Sequence, residues 1–149
     1  MVTNKERLGA LGRGALLGIL LFAGLYGNIF AHELGHYLMA DHFSLEPKVY
    51  LFDNGTGTGF SFFNQNFYTT YDNPSTQTAK TDFMIALAGP VANLLIVLAL
   101  VCLYFKIPKQ KQILRLAVIM LLIPSIVSVL SNVIPAAGTD GCIIWSYLR

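Results

Sequence analysis

At 149 residues the chain has the length of one domain, and with 54 % apolar and only 12 % charged residues it has the composition of a membrane protein, not of a water-soluble globule. The net charge of +2 is small and dispersed, so there is no basic footprint for nucleic acid. Cys102 lies in an apolar run and Cys142 near the C-terminus, which excludes a disulfide framework.

Lys5, Arg7 and Arg13 precede an apolar run from Gly14 to Ala40. The run is far longer than the apolar core of a signal peptide, so it reads as a membrane helix. About 27 residues at about 1.5 Å each give about 40 Å, enough to cross a bilayer with some tilt. Ala10, Gly14 and Gly18 recur at four-residue spacing, as do Ala23 and Gly27. That spacing either admits a second helix at close range or reflects how common glycine is in membrane helices.

Near the end of this run stands Ala31-His-Glu-Leu-Gly-His-Tyr37, which contains His-Glu-x-x-His. On a helix His32 and His36 are one turn apart and project from one face, where two neutral nitrogens can share a metal ion. Glu33, beside them, is placed to act as a carboxylate base for an attacking water. With three histidines in the chain, the pattern arises by chance in about one such composition in a thousand. The plainer alternative is a pair of hydrogen-bonded polar residues, although polar groups inside membranes are usually functional.

From 41 to 81 the composition turns to aromatic, Gly, Thr and Asn. Lys48–Phe52 and Phe60–Phe63 read as two short strands joined by the turn-rich Asp53–Gly59, an aromatic hairpin at the membrane interface. It would be either a flap over the site or an edge for an extended substrate segment. Residues 69–81 read as a polar, mobile connection.

A second span is expected over about 82–105, with Asp82 at its N-terminus and Lys106 and Pro108 marking its end. It contains Ala88-Gly-Pro-Val-Ala-Asn93, in which Asn93 places an amide in an apolar helix, a group suited to an interhelical hydrogen bond. A third span is expected over about 113–131, interrupted by Pro124 and carrying Ser125, Ser128 and Asn132 as a polar stripe. Asn132-Val-Ile-Pro-Ala-Ala-Gly-Thr-Asp140-Gly141 cannot continue a regular helix, and Cys142 to Arg149 is too short to span. Three spans put the end of the first, the start of the second and the end of the third on one side, so His32, Glu33, His36, Asn93, Asn132 and Asp140 should gather there.

The expected architecture is a mainly α, polytopic membrane protein with three transmembrane helices and a short β-hairpin in the first loop, forming a single core over 1–149. Three of its stretches, His32-Glu-Leu-Gly-His36, Ala88-Gly-Pro-Val-Ala-Asn93, and Asn132-Val-Ile-Pro135 followed by Asp140-Gly141, resemble the site-2 protease family of intramembrane zinc metalloproteases. The resemblance implies Zn2+ held by His32, His36 and Asp140, Glu33 as general base and acid, and Asn93 and Asn132 holding substrate backbone. It implies cleavage of membrane protein substrates within or beside a membrane helix, with the lipid bilayer as surroundings. The family's usual Leu-Asp-Gly is here Thr139-Asp140-Gly141.

A rival third ligand is His42, ten residues after His32, the spacing of a different metalloprotease pattern. That pattern needs a glycine where this chain has Met39. Lys5, Arg7, Arg13, Lys106, Lys109, Lys111 and Arg115 lie on the side away from the motif, against Lys48, Lys80 and Arg149 beside it. By charge the metal face is outside, whereas the resemblance sets it toward the cytosol. The alternative function is a metal-binding membrane protein without proteolysis, a carrier or an inactive scaffold. An intact Glu33 argues against the scaffold, because metal binding alone does not need it.

Overall fold

The computed structural model describes residues 4–53, 66–71 and 77–149. The element order is α1 (Asn4–His42), β1 (Lys48–Asp53), β2 (Asn66–Thr70), α2 (Ala79–Lys106), α3 (Gln112–Val133) and α4 (Asp140–Leu148). Among the described residues, three helices are long and apolar enough to cross a membrane: Gly9–His42 within α1, all of α2 and all of α3. The protein is a multi-pass integral membrane protein.

Burial follows the logic of a bilayer rather than of water. Leu95, Leu98, Phe105, Val127 and Leu130 are exposed, whereas Asn28, His32, Glu33, His36, Asn93 and Ser125 are buried. Lipid is as apolar as leucine, so sequestering leucine gains little, while polar groups must find partners inside the bundle. The three long helices pack against one another, and α4 packs on α2 and α3.

Two prolines sit inside helices without breaking them. The expected interruption of the third span at Pro124 does not occur, because the proline removes one ladder bond and its neighbours compensate. Ser125 Oγ donates to Leu121 O at 2.8 Å in the turn that Pro124 loosens. Small residues also serve differently from their spacing. A Cβ at Gly14, Gly18 or Gly27 would meet nothing within 4 Å beyond its own helix, whereas a Cβ at Gly24 would touch Pro124 and Leu121 at 3.1–3.2 Å, so α1 and α3 come together closely at Gly24.

The sheet is an antiparallel pair in which Tyr50 stands opposite Tyr68, their rings stacked at 4.9 Å. The first strand matches its expected position. Its partner is Asn66–Thr70, whereas Phe60–Phe63 and the expected turn after Asp53 lie outside the described residues. Thr69 and Thr70, expected in a mobile connection, are therefore strand residues. Tyr71 continues from β2 and donates to Asp82 Oδ1 at 3.3 Å, tying the strand to the first turn of α2. Burial first, then the Asp82 charge and hydrogen bond, push the Tyr71 phenol up to about 12.

α2 begins with a reciprocal cap, in which Thr81 N donates to Thr78 Oγ1 and Thr78 N to Thr81 Oγ1. At the far end of α3, the carbonyls left open by the helix stop are taken up by side chains beyond it. Trp145 Nε1 donates to Val133 O at 3.0 Å and Thr139 Oγ1 to Ile134 O at 2.8 Å. These bonds fold α4, which the sequence pattern did not announce, back onto the end of α3.

Candidate metal centre

His32, Glu33 and His36 lie on the buried face of α1, between about 9 and 15 Å from its C-terminal end at about 1.5 Å per residue. Ser128 and Asn132 are within about 8 Å of the C-terminal end of α3 by the same rise. Asp140 is the first residue of α4. The topology thus carries all of them to one end of the bundle, as the order of spans predicts.

His36 Nε2 lies 3.0 Å from His32 Nε2. Asp140 Oδ2 lies 2.9 Å from His32 Nε2 and 3.4 Å from His36 Nε2. This oxygen is buried, and the two imidazole nitrogens are the groups that close on it. His36 Nδ1 is 2.7 Å from Ile85 O, a carbonyl that can only accept, so the ring proton is on Nδ1 and Nε2 keeps its lone pair. Electron-rich atoms crowded in this way fit a cation between them. One atom from each of His32, His36 and Asp140 falls within 4.8 Å of the others, a set suited to a metal ion.

Space for the two rings comes from α2. A Cβ on Gly89 would stand 2.5 Å from His36 Nε2 and 2.7 Å from His32 Cε1, so only glycine admits both imidazoles. Pro90, next in the chain, cannot donate to Ala86 O and opens the helix beside the Ile85 carbonyl that His36 uses.

A cavity of about 350 Å³ opens on this cluster, and its wall includes His32, Glu33, His36, Thr69, Asn132 and Asp140. Of the sequence-predicted site residues, Asn93 alone is absent from that wall. It is fully enclosed at the Nδ1 edge of His32, with Nδ2 3.2 Å from Nδ1 and 2.6 Å from Ser128 Oγ. A grip on substrate backbone would require it to face the cavity.

His42 is not in the cluster. The helix runs through Met39 without turning aside, which leaves His42 about 15 Å further along the axis and about 80° around from His32. It is exposed, packs against Phe43 and lines a separate apolar cavity.

Sequence reading missed Thr69 altogether. Its hydroxyl lies 2.9 Å from Glu33 Oε2 and 3.1 Å from Glu33 O. A threonine in a polar loop carries no local signal for such a contact, because the pairing depends on β2 crossing α1.

The sequence model of peptidase family M50 matches residues 20–112. The match takes in His32, Glu33, His36 and Asn93 and stops short of Asn132 and Asp140, which reach the cluster by the fold. Among curated proteins and among solved structures nothing matches the chain. The matched segment covers more than half of the chain, which therefore belongs to peptidase family M50, the site-2 protease family.

Proposed function

We propose that the protein is a zinc-dependent intramembrane endopeptidase, hydrolysing peptide bonds in or beside the membrane segments of its protein substrates. The observation that carries this reading is the buried Glu33 carboxylate on the wall of the same cavity as the converging atoms of His32, His36 and Asp140. An inert scaffold would have no need of a carboxylate at that place, and a carrier would want polar residues across the whole membrane depth rather than a cluster at one end.

Zinc held by His32 Nε2, His36 Nε2 and Asp140 Oδ2 would polarise the scissile carbonyl and acidify the attacking water. Glu33 takes one proton from that water as its oxygen bonds to the carbonyl carbon. It then gives the proton to the amide nitrogen as the C–N bond breaks, so that a carboxylic acid and an amine leave. Thr69 holds Glu33 Oε2 in place during both transfers. The Asn132 side chain, on the cavity wall with Nδ2 donating to Ser128 O at 2.9 Å, would hold substrate backbone through its remaining amide groups. A peptide bond in a helix has its carbonyl engaged along the axis, so the substrate must unwind locally before it can enter.

The test is cleavage of a panel of single-span membrane substrates by the purified protein in lipid, with bound metal measured in wild type and Glu33→Gln. Wild type is expected to cut, and Glu33→Gln to keep its metal while losing about 10²–10⁴-fold in rate. If Glu33→Gln cuts at the wild-type rate, the role of Glu33 is wrong. If both hold metal and neither cuts any substrate, the carrier or scaffold reading is favoured. Because histidine and carboxylate ligands accept several divalent ions, the same measurement identifies the metal.

A further inference from the structure

His36 and His32 are held at their Nδ1 edges by different chemistry. Ile85 O, the partner of His36, can only accept, so it enforces a single tautomer. The partner of His32 is the Asn93 side chain, and an amide is not restricted in that way. Its nitrogen donates, its oxygen accepts, and the two ends have the same shape.

With the amide nitrogen toward the ring, His32 Nδ1 must accept. The ring proton is then on Nε2, directed into the cluster with His36 and Asp140, where it bars a cation. In this orientation Asn93 Oδ1 is buried without a partner, which buried carbonyl oxygens rarely tolerate. A half-turn of the amide brings Oδ1 against both His32 Nδ1 and Ser128 Oγ, and each can donate to it. His32 then carries its proton on Nδ1 and offers a bare Nε2.

We propose that Asn93 is the positioning residue that couples the tautomer of His32 to metal loading. Its amide turns so that the oxygen accepts from His32 and Ser128 when metal is bound and the nitrogen faces His32 when it is not. This rests on the metal centre proposed above and replaces the substrate-holding role expected of Asn93. A carbonyl such as Ile85 O could support only the loaded state, whereas an asparagine can present either an acceptor or a donor to His32.

The test is zinc affinity of the full chain in detergent, read by competition with a chromophoric chelator. It compares wild type, Asn93→Leu, Asn93→Asp and Ser128→Ala, each checked for folding by its helical spectrum. Asn93→Leu matches the size and loses both ends of the amide, and is expected to bind zinc about 10–100-fold more weakly. Asn93→Asp keeps only the acceptor and should bind close to wild type. Ser128→Ala should fall between them, and it carries the test if Asn93→Leu does not fold.

With three histidines in the chain, 15N-histidine spectra can read the tautomer itself. Metal-free His32 is expected protonated at Nε2 in wild type and at Nδ1 in Asn93→Asp, with zinc moving the wild-type proton to Nδ1. Unchanged zinc affinity in Asn93→Leu, or one tautomer in both metal-free proteins, overturns the proposal. A loss in Asn93→Asp as large as in Asn93→Leu also overturns it. If wild type itself binds no zinc, or binds it independently of His36 and Asp140, the metal-centre reading falls instead.

Discussion

Thr69 Oγ1 donates to Glu33 Oε2 at 2.9 Å, so a strand from the first loop holds the Glu33 carboxylate beside the candidate metal ligands. The contact joins residues 36 apart in sequence and makes β2 part of the site rather than a cover lying over it. A hydroxyl donating to an ionised carboxylate is worth about 1.5–3 kcal/mol when both are shielded from water. Thr69→Val keeps the shape and removes the donor, and is expected to lower the cleavage rate about tenfold or more with bound metal unchanged. Thr69→Ser should restore most of the rate. Equal rates for Val and wild type would show that the hydroxyl does not matter to the base.

The third ligand is tested by comparing Asp140→Ala with His42→Ala. Asp140 Oδ2 is 2.9 Å from His32 Nε2, whereas His42 lies outside the cluster on the same unbroken helix. Asp140→Ala is expected to lose the metal and His42→Ala to keep it, as read by metal analysis after dialysis. Loss of metal in His42→Ala alone would reverse the assignment.

Gly89→Ala is predicted to be far more damaging than its one added methyl suggests. The new Cβ would stand 2.5–2.7 Å from atoms of both imidazoles, which cannot yield without leaving the cluster. Gly14→Ala, where nothing lies within 4 Å, serves as the control and should match wild type. Metal content and thermal unfolding of the two variants decide the matter.

Asn28 is a purely structural counterpart to Asn93. Its Nδ2 donates to Gly24 O at 2.7 Å and to Ser125 Oγ at 2.8 Å, fastening α1 to α3 one turn before the metal motif. Asn28→Ala should cost about 0.6–1.7 kcal/mol, the range of interhelical hydrogen bonds in membranes, while zinc affinity stays as in wild type. Unfolding in mixed micelles measures the first quantity and chelator competition the second.

The link between β2 and α2 should depend on pH in the alkaline range. The Tyr71 phenol is pushed up to about 12, above its ordinary value, so the folded protein holds this proton more tightly than the unfolded chain does. Its contribution is therefore fully present below pH about 10 and is lost as pH rises toward about 12. A spectrophotometric titration should show a late tyrosine step that Tyr71→Phe removes. If that variant titrates like wild type, the late step belongs to another residue.

The sequence by itself determined what is periodic and local. Long apolar runs fix the three spans, and the one-turn separation of His32 and His36 fixes a shared face, because a helix imposes 3.6 residues per turn whatever surrounds it. The order of spans then brought Asp140 and Asn132 to the same end without any knowledge of contacts. The tertiary structure decided everything that depends on which surfaces meet. Asn66–Thr70 carries no local signal that marks it as the partner of β1, and only packing of β2 against α1 delivers Thr69 to Glu33. Asn93 reads from the sequence as a helix clasp, with a substrate role implied by resemblance, and only the packing of α2 against α1 turns its amide to His32. Gly14, Gly18 and Gly27 stand out by their four-residue spacing yet meet no neighbouring helix, whereas Gly24, outside that pattern, meets α3. Spacing along one helix is set by backbone geometry, whereas contact between helices is set by how side chains of distant segments fit together, and no single stretch of sequence contains that information.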